Sequence, residues 1–112
     1  MNSSVERLSE TALLIAPGDS LVANNVAGFK RELEELVQKT AQVVVDLSQV
    51  QFIDSAGCGV LLQFHKRLKE KGGGLAVCCI SAPVRALFEL VRIQRALDIY
   101  PSRQAAVKAL QA

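Results

Sequence analysis

Two short segments rich in apolar residues constrain the fold of this chain more than any other feature. Residues 42–47 and residues 75–80 consist mainly of β-branched and aliphatic side chains, with no alternation of apolar and polar positions. Strands that are covered on both faces have this pattern, whereas half-exposed strands alternate. Because segments with helical periodicity lie before, between and after the two runs, the pattern predicts an α/β fold with buried central strands.

Three segments carry apolar residues at helical spacing. The first begins at Asn24 or Asn25, either of which is predicted to cap the helix through its amide oxygen. The second runs to about Lys71 and stops at Gly72, and the third opens at Ser81 as its cap. The predicted core stripes are Val26, Phe29, Leu33, Leu36 and Val37; Val60, Leu61, Phe64 and Leu68; and Val84, Leu87, Phe88 and Val91.

Weaker signals near the two ends complete the predicted fold. Residues 5–10 and 12–16 are short strand candidates joined by a tight turn, residues 97–100 form a last strand, and Pro101 opens a terminal helix. Strands that are separated by helices pair in parallel, and the first hairpin adds an antiparallel edge. We therefore expect an α/β sandwich whose mixed, mostly parallel sheet has four to five strands, with about four helices.

Length and composition exclude several classes of protein. A chain of 112 residues is expected to form a single domain over residues 1–112. A net charge of +2 and an aromatic content of 4% argue against a nucleic-acid partner, and the basic cluster at residues 65–71 is interpreted as a solvated helix end. With no secretory start and no apolar run of membrane-spanning length, we expect a cytoplasmic protein that does not insert into membranes.

The three cysteines do not suggest a disulfide framework or a metal site. Cys78 and Cys79 are adjacent in a predicted strand, where neighbouring side chains point to opposite faces, and both are expected in the core. Cys58 lies in the first turn of a predicted helix, where the dipole lowers a thiol pKa, but a small apolar contact is favoured over a redox-sensitive site. No residues stand at metal-ligand spacing, so we expect neither a metal nor a cofactor.

Ser55 stands where a strand hands over to a helix, directly after Asp54. A catalytic serine needs a base within about 3 Å, and the only histidine, His65, lies ten residues along the same predicted helix, a backbone separation of about 15 Å. The sequence therefore predicts no catalytic residue and no enzyme. Two roles stay open: a helix cap worth about 1 kcal/mol, and a modification site at which a phosphoryl group would meet free N–H groups and the helix dipole.

Several motifs between Val43 and Arg85 resemble those of a known family. The run Phe52-Ile53-Asp54-Ser55-Ala56-Gly57-Cys58-Gly59-Val60-Leu61, the glycines at 72–74 before a strand, and the helix opening at residues 81–85 resemble the STAS domain in its stand-alone anti-sigma factor antagonist form. The likeness extends from Val5 to Leu110, and its specific part is the Asp-Ser-x-Gly-x-Gly run.

The resemblance implies a phosphorylation-controlled partner switch. The unmodified protein would bind an anti-sigma factor that is also a serine kinase, with a histidine-kinase-like ATPase fold, and so release the sigma factor. Phosphorylation of the serine after the aspartate would end that binding, and a metal-dependent serine phosphatase would reset it. Carried over by position, the phosphorylated residue is Ser55, and the partner-binding residues are Asp54, Ser55, Ala56, Gly57, Cys58, Ser20 and Leu21.

The sequence departs from the family pattern at a few positions. Val22 stands where the family usually has an aspartate, Cys58 replaces a leucine, and Arg92-Ile93 replaces a Gly-Leu pair after the third helix. The resemblance implies that Gly57 and Gly59 keep the helix start uncrowded, so that a partner's active site reaches the hydroxyl. A second hypothesis keeps the fold and discards the switch: a STAS subunit of a membrane transporter or of another regulatory module.

Overall fold

The computed structural model of the chain describes residues 3–111. Five strands and four helices alternate along it in the order that the sequence predicts, with a short 3₁₀ helix, Ile93–Arg95, before the last strand. The strands are β1 (Ser3–Arg7), β2 (Ala12–Pro17), β3 (Gln42–Asp46), β4 (Gly74–Cys78) and β5 (Asp98–Tyr100). The helices are α1 (Val26–Val37), α2 (Ser55–Glu70), α3 (Ala82–Val91) and α4 (Arg103–Gln111).

The strands form one mixed sheet in the order β1-β2-β3-β4-β5. The β1–β2 hairpin is antiparallel and the three other pairings are parallel, which confirms the predicted fold class. Each parallel pair is joined by a helical crossover, because two neighbouring parallel strands need a long connection to return to the same edge.

The three consecutive valines of β3, at residues 43–45, have a direct cause, since successive strand residues point to opposite faces and both faces are covered. Val43 and Val45 pack with α1, α2 and α3 in the main core, whereas Val44 faces α4 and contributes to a smaller core with Ala106. The predicted stripes of α1 and α2 are confirmed: Phe29, Leu33, Leu36, Val37, Val60, Leu61, Phe64 and Leu68 are all buried.

The strand predicted at residues 75–80 ends two residues early. β4 stops at Cys78, and Cys79 adopts a left-handed conformation with φ of 63°. The prediction that Cys78 and Cys79 point to opposite faces is therefore wrong, because opposite orientation requires extended backbone at both residues. Cys78 is buried in the smaller core as predicted, whereas Cys79 is only half-buried.

The predicted helix caps use their side chains differently from expectation. Asn25 precedes α1 but makes no capping bond to it; its amide instead donates to Ser20 O at 2.7 Å and accepts from Val22 N at 3.0 Å. Ser81 precedes α3 but donates its hydroxyl proton to Val50 O at 2.9 Å. Both polar groups therefore hold loops together, and the capping predictions for Asn24, Asn25 and Ser81 are wrong.

The C-terminal end of α2 follows the predicted stop but is less solvated than expected. Gly72 has φ of 86°, a conformation that favours glycine. The ammonium of Lys71 donates to the carbonyl groups of Val37 and Thr40 at the end of α1, where it offsets the negative end of the helix dipole. Within residues 3–111, no helix combines the length and hydropathy that crossing a membrane requires.

Candidate functional site

The candidate site lies beyond the carboxyl ends of β2 and β3, where Ser55 opens α2. Residues 47–54 leave β3 and return to the edge of the sheet, and Ile53 forms an isolated parallel bridge with Leu21. Leu21 N donates to Phe52 O at 3.0 Å, and Asp54 N donates to Leu21 O at 3.2 Å. These backbone bonds place the segment after β2 directly beside the start of α2.

Asp54 is the cap of α2. Its Oδ1 accepts hydrogen bonds from the amides of Ala56 at 3.0 Å and Gly57 at 3.1 Å, while its Oδ2 accepts from Ala23 N at 3.0 Å. The Ala23 amide first, and then that of Gly57, hold the pKa of this carboxyl below its ordinary value. Of the two roles left open for Ser55, helix capping is therefore excluded, because the preceding carboxylate already occupies that position.

The hydroxyl of Ser55 is free for other chemistry. The residue is exposed, and its side chain makes no hydrogen bond to any residue from 3 to 111. The amides of Ala56 and Gly57 are taken by the Asp54 carboxylate, and Cys58 N donates to Asp54 O at 3.0 Å. The expectation that a phosphoryl group would find these first-turn amides free is therefore wrong.

The two glycines after Ser55 have different environments. A Cβ on Gly57 would lie 2.7 Å from Ile53 Cγ1 and closer still to the carbonyl oxygen of Leu21. Gly57 therefore allows the close contact between α2 and the Leu21 segment, and its role in giving a partner access to Ser55 stays a prediction. Gly59 is exposed, and a Cβ there would have nothing within 4 Å.

Replacement of the family aspartate by Val22 leaves the contacts between this segment and α2 in place. Leu21 and Ala23 make those contacts through backbone N–H and C=O groups, which are independent of the side chain at position 22. Leu21 itself is fully buried in the main core.

An apolar groove of about 340 Å³ runs between α2 and α3, and Ser55 lies on its lining. The apolar lining residues are Cys58, Leu62, Leu87, Val91, Ile93 and Ala96, and Arg92 also borders the groove. Cys58 is only 7% exposed, and burial, followed by the nearby Asp54 charge, raises the pKa of its thiol. The thiol is therefore neutral, which agrees with the predicted small apolar contact and argues against a redox-sensitive thiolate.

Three large apolar side chains are exposed near the two helices that border the groove. One lies in the loop before α2 and two lie at the end of α3. Phe52 is 70% exposed, Leu90 80% and Val91 52%. Val91 is expected to face the core, and that prediction is wrong, because this last residue of α3 borders the groove and its side chain is exposed. The sequence contains a signal for these residues: Leu87, Leu90 and Val91 make α3 apolar over more than one face, which a single core stripe does not require.

The seven predicted contact residues lie together at this edge but differ in exposure. Ser55 is exposed; Ser20, Asp54 and Ala56 are half-buried; Leu21, Gly57 and Cys58 are buried. Contact of these residues with a partner stays a prediction, and the buried three are placed to shape the surface rather than to form it.

His65 has a structural role in α2. The side chain is buried, and its Nδ1 accepts a hydrogen bond from Leu75 N in β4 at 3.1 Å. His65 lies ten residues along α2 from Ser55, and its Nδ1 is bonded to a strand amide. It is therefore not available as a base for Ser55.

Comparison with known proteins identifies the family. The family model described as "STAS domain" matches residues 4–106. The chain belongs to the STAS domain family. This STAS domain is 28% identical over 114 residues to the anti-sigma F factor antagonist of Paenibacillus polymyxa, covering 99% of this chain and 97% of that one. It is 27% identical over 80 residues to the anti-sigma-B factor antagonist of Bacillus subtilis, covering 71% and 73% of the two chains.

Solved structures agree with the STAS fold. An anti-sigma-factor antagonist (STAS) domain protein from Planctomyces limnophilus superposes with a TM-score of 0.86 at 22% identity, covering 98% of each chain. The Bacillus cell fate determinant SpoIIAA in its phosphorylated form superposes with a TM-score of 0.70 at 14% identity, covering 96% of this chain and 98% of that one.

Proposed function

We propose that this STAS domain protein is an anti-sigma factor antagonist whose binding to its partner is controlled by phosphorylation of Ser55. The observation that carries the proposal is the exposed, unbonded hydroxyl of Ser55 on a helix start that Asp54 has already capped. Because no bond within residues 3–111 depends on this hydroxyl, a kinase can modify it without disturbing the fold. The names of the relatives, which are anti-sigma factor antagonists, support the same role.

The geometry of the site supports the proposed direction of the switch, in which phosphorylation of Ser55 weakens binding. A phosphoserine carries a charge of about −1.5 to −2 at neutral pH, and here it would stand beside the Asp54 carboxylate, with the amides of Ala56 and Gly57 already bonded. The chain therefore offers this dianion little compensation at the helix start. Ser55 also lines the apolar groove, so a partner that covers the groove would have to desolvate the phosphate.

The expected loss of affinity follows from that desolvation. An uncompensated charge in an interface costs about 3 kcal/mol or more, and each 1.4 kcal/mol changes a dissociation constant about tenfold. Phosphorylation of Ser55 should therefore weaken binding at least about 100-fold. The unmodified surface, on which Phe52 and the groove residue Val91 are exposed, is the binding-competent form.

We infer that the partner is an anti-sigma factor with serine kinase activity and an ATP-binding fold of the histidine-kinase type. ATP as the phosphate donor places the switch in the cytoplasm, and a metal-dependent serine phosphatase would restore the hydroxyl. The protein itself acts as a substrate and binding partner and not as an enzyme, since His65 is bound to β4 and no other histidine exists in the chain.

The test uses a cognate anti-sigma factor kinase of the proposed class, with ATP, and measures intact mass and complex formation. We expect the parent to gain one phosphate and to leave the complex. Ser55→Ala should gain none, while Ser48→Ala, a matched variant at another exposed serine of the same edge, should behave as the parent. A Ser55→Ala protein that still gains phosphate would contradict the proposal, as would a Ser55→Asp protein that binds as tightly as the parent. Co-purification with a permease, insensitive to Ser55 substitution, would favour the transporter-subunit hypothesis.

A further inference from the structure

A cluster of three potential metal ligands lies on the α4 face of the sheet, away from the Ser55 groove. Asp46 ends β3 and Cys78 ends β4, and the two are directly paired in the sheet register, so their side chains share a face. Cys79, turned by its φ of 63°, brings its thiol to the same place. The carboxylate oxygen and the two sulfur atoms all lie within 4.8 Å of one another.

The carboxylate of this cluster is already oriented by its neighbours. Asp46 is 2% exposed; its Oδ1 accepts from Ser48 N at 2.8 Å and its Oδ2 from Arg103 Nε at 2.5 Å. Each carboxylate oxygen can accept at more than one position, so both retain capacity for a ligand. A carboxylate that is held by outer hydrogen bonds is the arrangement that metal sites use to position a first ligand.

A disulfide is a poor use of these two thiols. Adjacent Cα atoms across a trans peptide are about 3.8 Å apart, whereas ordinary disulfides span about 4.4 Å or more between Cα atoms. A bond between Cys78 and Cys79 would therefore be strained and easily reduced. Two adjacent thiolates can instead bind one ion without forming a bond to each other.

The dimensions of the cluster suit a tetrahedral cation. Bond lengths of about 2.3 Å to sulfur and 2.0–2.2 Å to oxygen place the ligand atoms of zinc about 3.5–3.8 Å apart. Ligand atoms that lie within 4.8 Å of one another reach those separations through shifts of about 1 Å. Two thiolates and one carboxylate with Zn²⁺ leave one negative charge, which the adjacent Arg103 guanidinium offsets. Since Cys79 is half-buried, a water molecule can supply the fourth ligand.

We propose that Asp46, Cys78 and Cys79 bind one thiophilic divalent cation, for which Zn²⁺ is the best fit, linking the ends of β3 and β4 beneath the start of α4. The site is independent of the proposed phosphorylation switch, because it lies on the opposite face of the sheet from α2. Burial raises the pKa of Cys78, so the metal-free thiol is protonated at neutral pH and binding must release protons.

The experiment uses the full chain, reduced and stripped of metal by a chelator, at pH 7.5. Zn²⁺ is titrated by calorimetry, and Co²⁺ by optical absorption, in which a near-ultraviolet thiolate-to-cobalt band reports sulfur ligation. We expect one ion per chain and a higher melting temperature with Zn²⁺. Cys79→Ser and Asp46→Asn should each weaken binding at least about 100-fold.

The controls separate this site from the rest of the molecule. Cys58→Ser removes the third cysteine, which lies outside the cluster, and should bind Zn²⁺ as the parent does. Ser55→Ala should also bind normally, so failure of the phosphorylation proposal leaves this result unchanged. The proposal is overturned if the parent shows no stoichiometric binding, if Cys79→Ser binds as tightly as the parent, or if Cys58→Ser abolishes the cobalt band. Should Asp46→Asn fail to fold, Arg103→Gln, which keeps all three ligands, is expected to weaken binding about 10-fold or more.

Discussion

Substitution of the two glycines in the first turns of α2 by alanine should change stability in opposite directions. Alanine is favoured over glycine in a helix by about 0.8–1 kcal/mol. At Gly59 a Cβ meets nothing within 4 Å, so Gly59→Ala should stabilise the protein by about that amount. Gly59 thereby provides a matched control for Gly57, two residues away on the same helix.

At Gly57 the same added methyl group meets packed atoms. It would lie 2.7 Å from Ile53 Cγ1 and 3.0 Å from Leu21 Cβ, with the Leu21 carbonyl oxygen nearer than either. Overpacking of this kind costs about 1–3 kcal/mol. Displacing Leu21 also weakens its two bonds to Phe52 and Asp54, at about 1 kcal/mol each. After the gain in helix propensity is subtracted, Gly57→Ala should destabilise the protein by about 2–4 kcal/mol.

The free energy of unfolding of both variants is measured by urea denaturation. Far-ultraviolet circular dichroism follows the unfolding, because the chain has no tryptophan whose fluorescence could report it. For a chain of this length, about 2–4 kcal/mol corresponds to a fall in melting temperature of about 8–16 °C. Equal stability of Gly57→Ala and the parent would refute the close contact between α2 and the Leu21 segment. A destabilised Gly59→Ala would refute the open environment assigned to Gly59.

Two further predictions concern Arg92 and Asp54. Arg92 follows α3 with φ of 58°, a left-handed conformation that favours glycine. Arg92→Gly should therefore stabilise the protein by about 1 kcal/mol in thermal denaturation. A lower melting temperature for Arg92→Gly than for the parent would contradict this reasoning. Bonds from the amides of Ala23 and Gly57 lower the pKa of Asp54 in the folded protein, so its contribution to stability is present above the unfolded pKa and is lost as pH falls through the folded value. Asp54→Asn should therefore be less stable than the parent at pH 7, and the difference in their urea midpoints should be smaller at pH 3. A difference in midpoint that does not change with pH would count against this role of Asp54.

Asp54 and Ser55 have two different roles, capping α2 and presenting a free hydroxyl, and the sequence alone could not tell which residue has which. Either residue type is a good helix cap, and the serine precedes the amides that need acceptors. The structure gives the capping task to Asp54 because its carboxylate also reaches Ala23, 31 residues earlier in the chain. Ser55 is thereby left with an unbonded hydroxyl, which is what a modification site requires.

The hydrophobic periodicity of the sequence also does not predict the groove between α2 and α3. The apolar spacing of α3 correctly predicts that Val84 and Phe88 are buried. It places Val91 on the same face, yet Val91, the last residue of α3, borders the groove and is 52% exposed. Periodicity reports which residues share a helix face, and the position of a neighbouring helix decides how much of that face is covered.

The sequence by itself determined the order and type of the elements, the parallel pairing, the two-sided burial of β3 and β4, and the position of Ser55 at a strand-to-helix turn. These properties follow from local periodicity, in which each residue is compared with neighbours two to four positions away. Tertiary structure alone decided that Asp54 caps α2, that Gly57 touches Leu21, that an apolar groove borders Ser55, and that Cys79 turns towards Cys78 and Asp46. Each of these features depends on a contact between residues that are distant in the chain, or on one backbone dihedral angle that packing selects. Neither kind of feature produces a periodic pattern in the sequence.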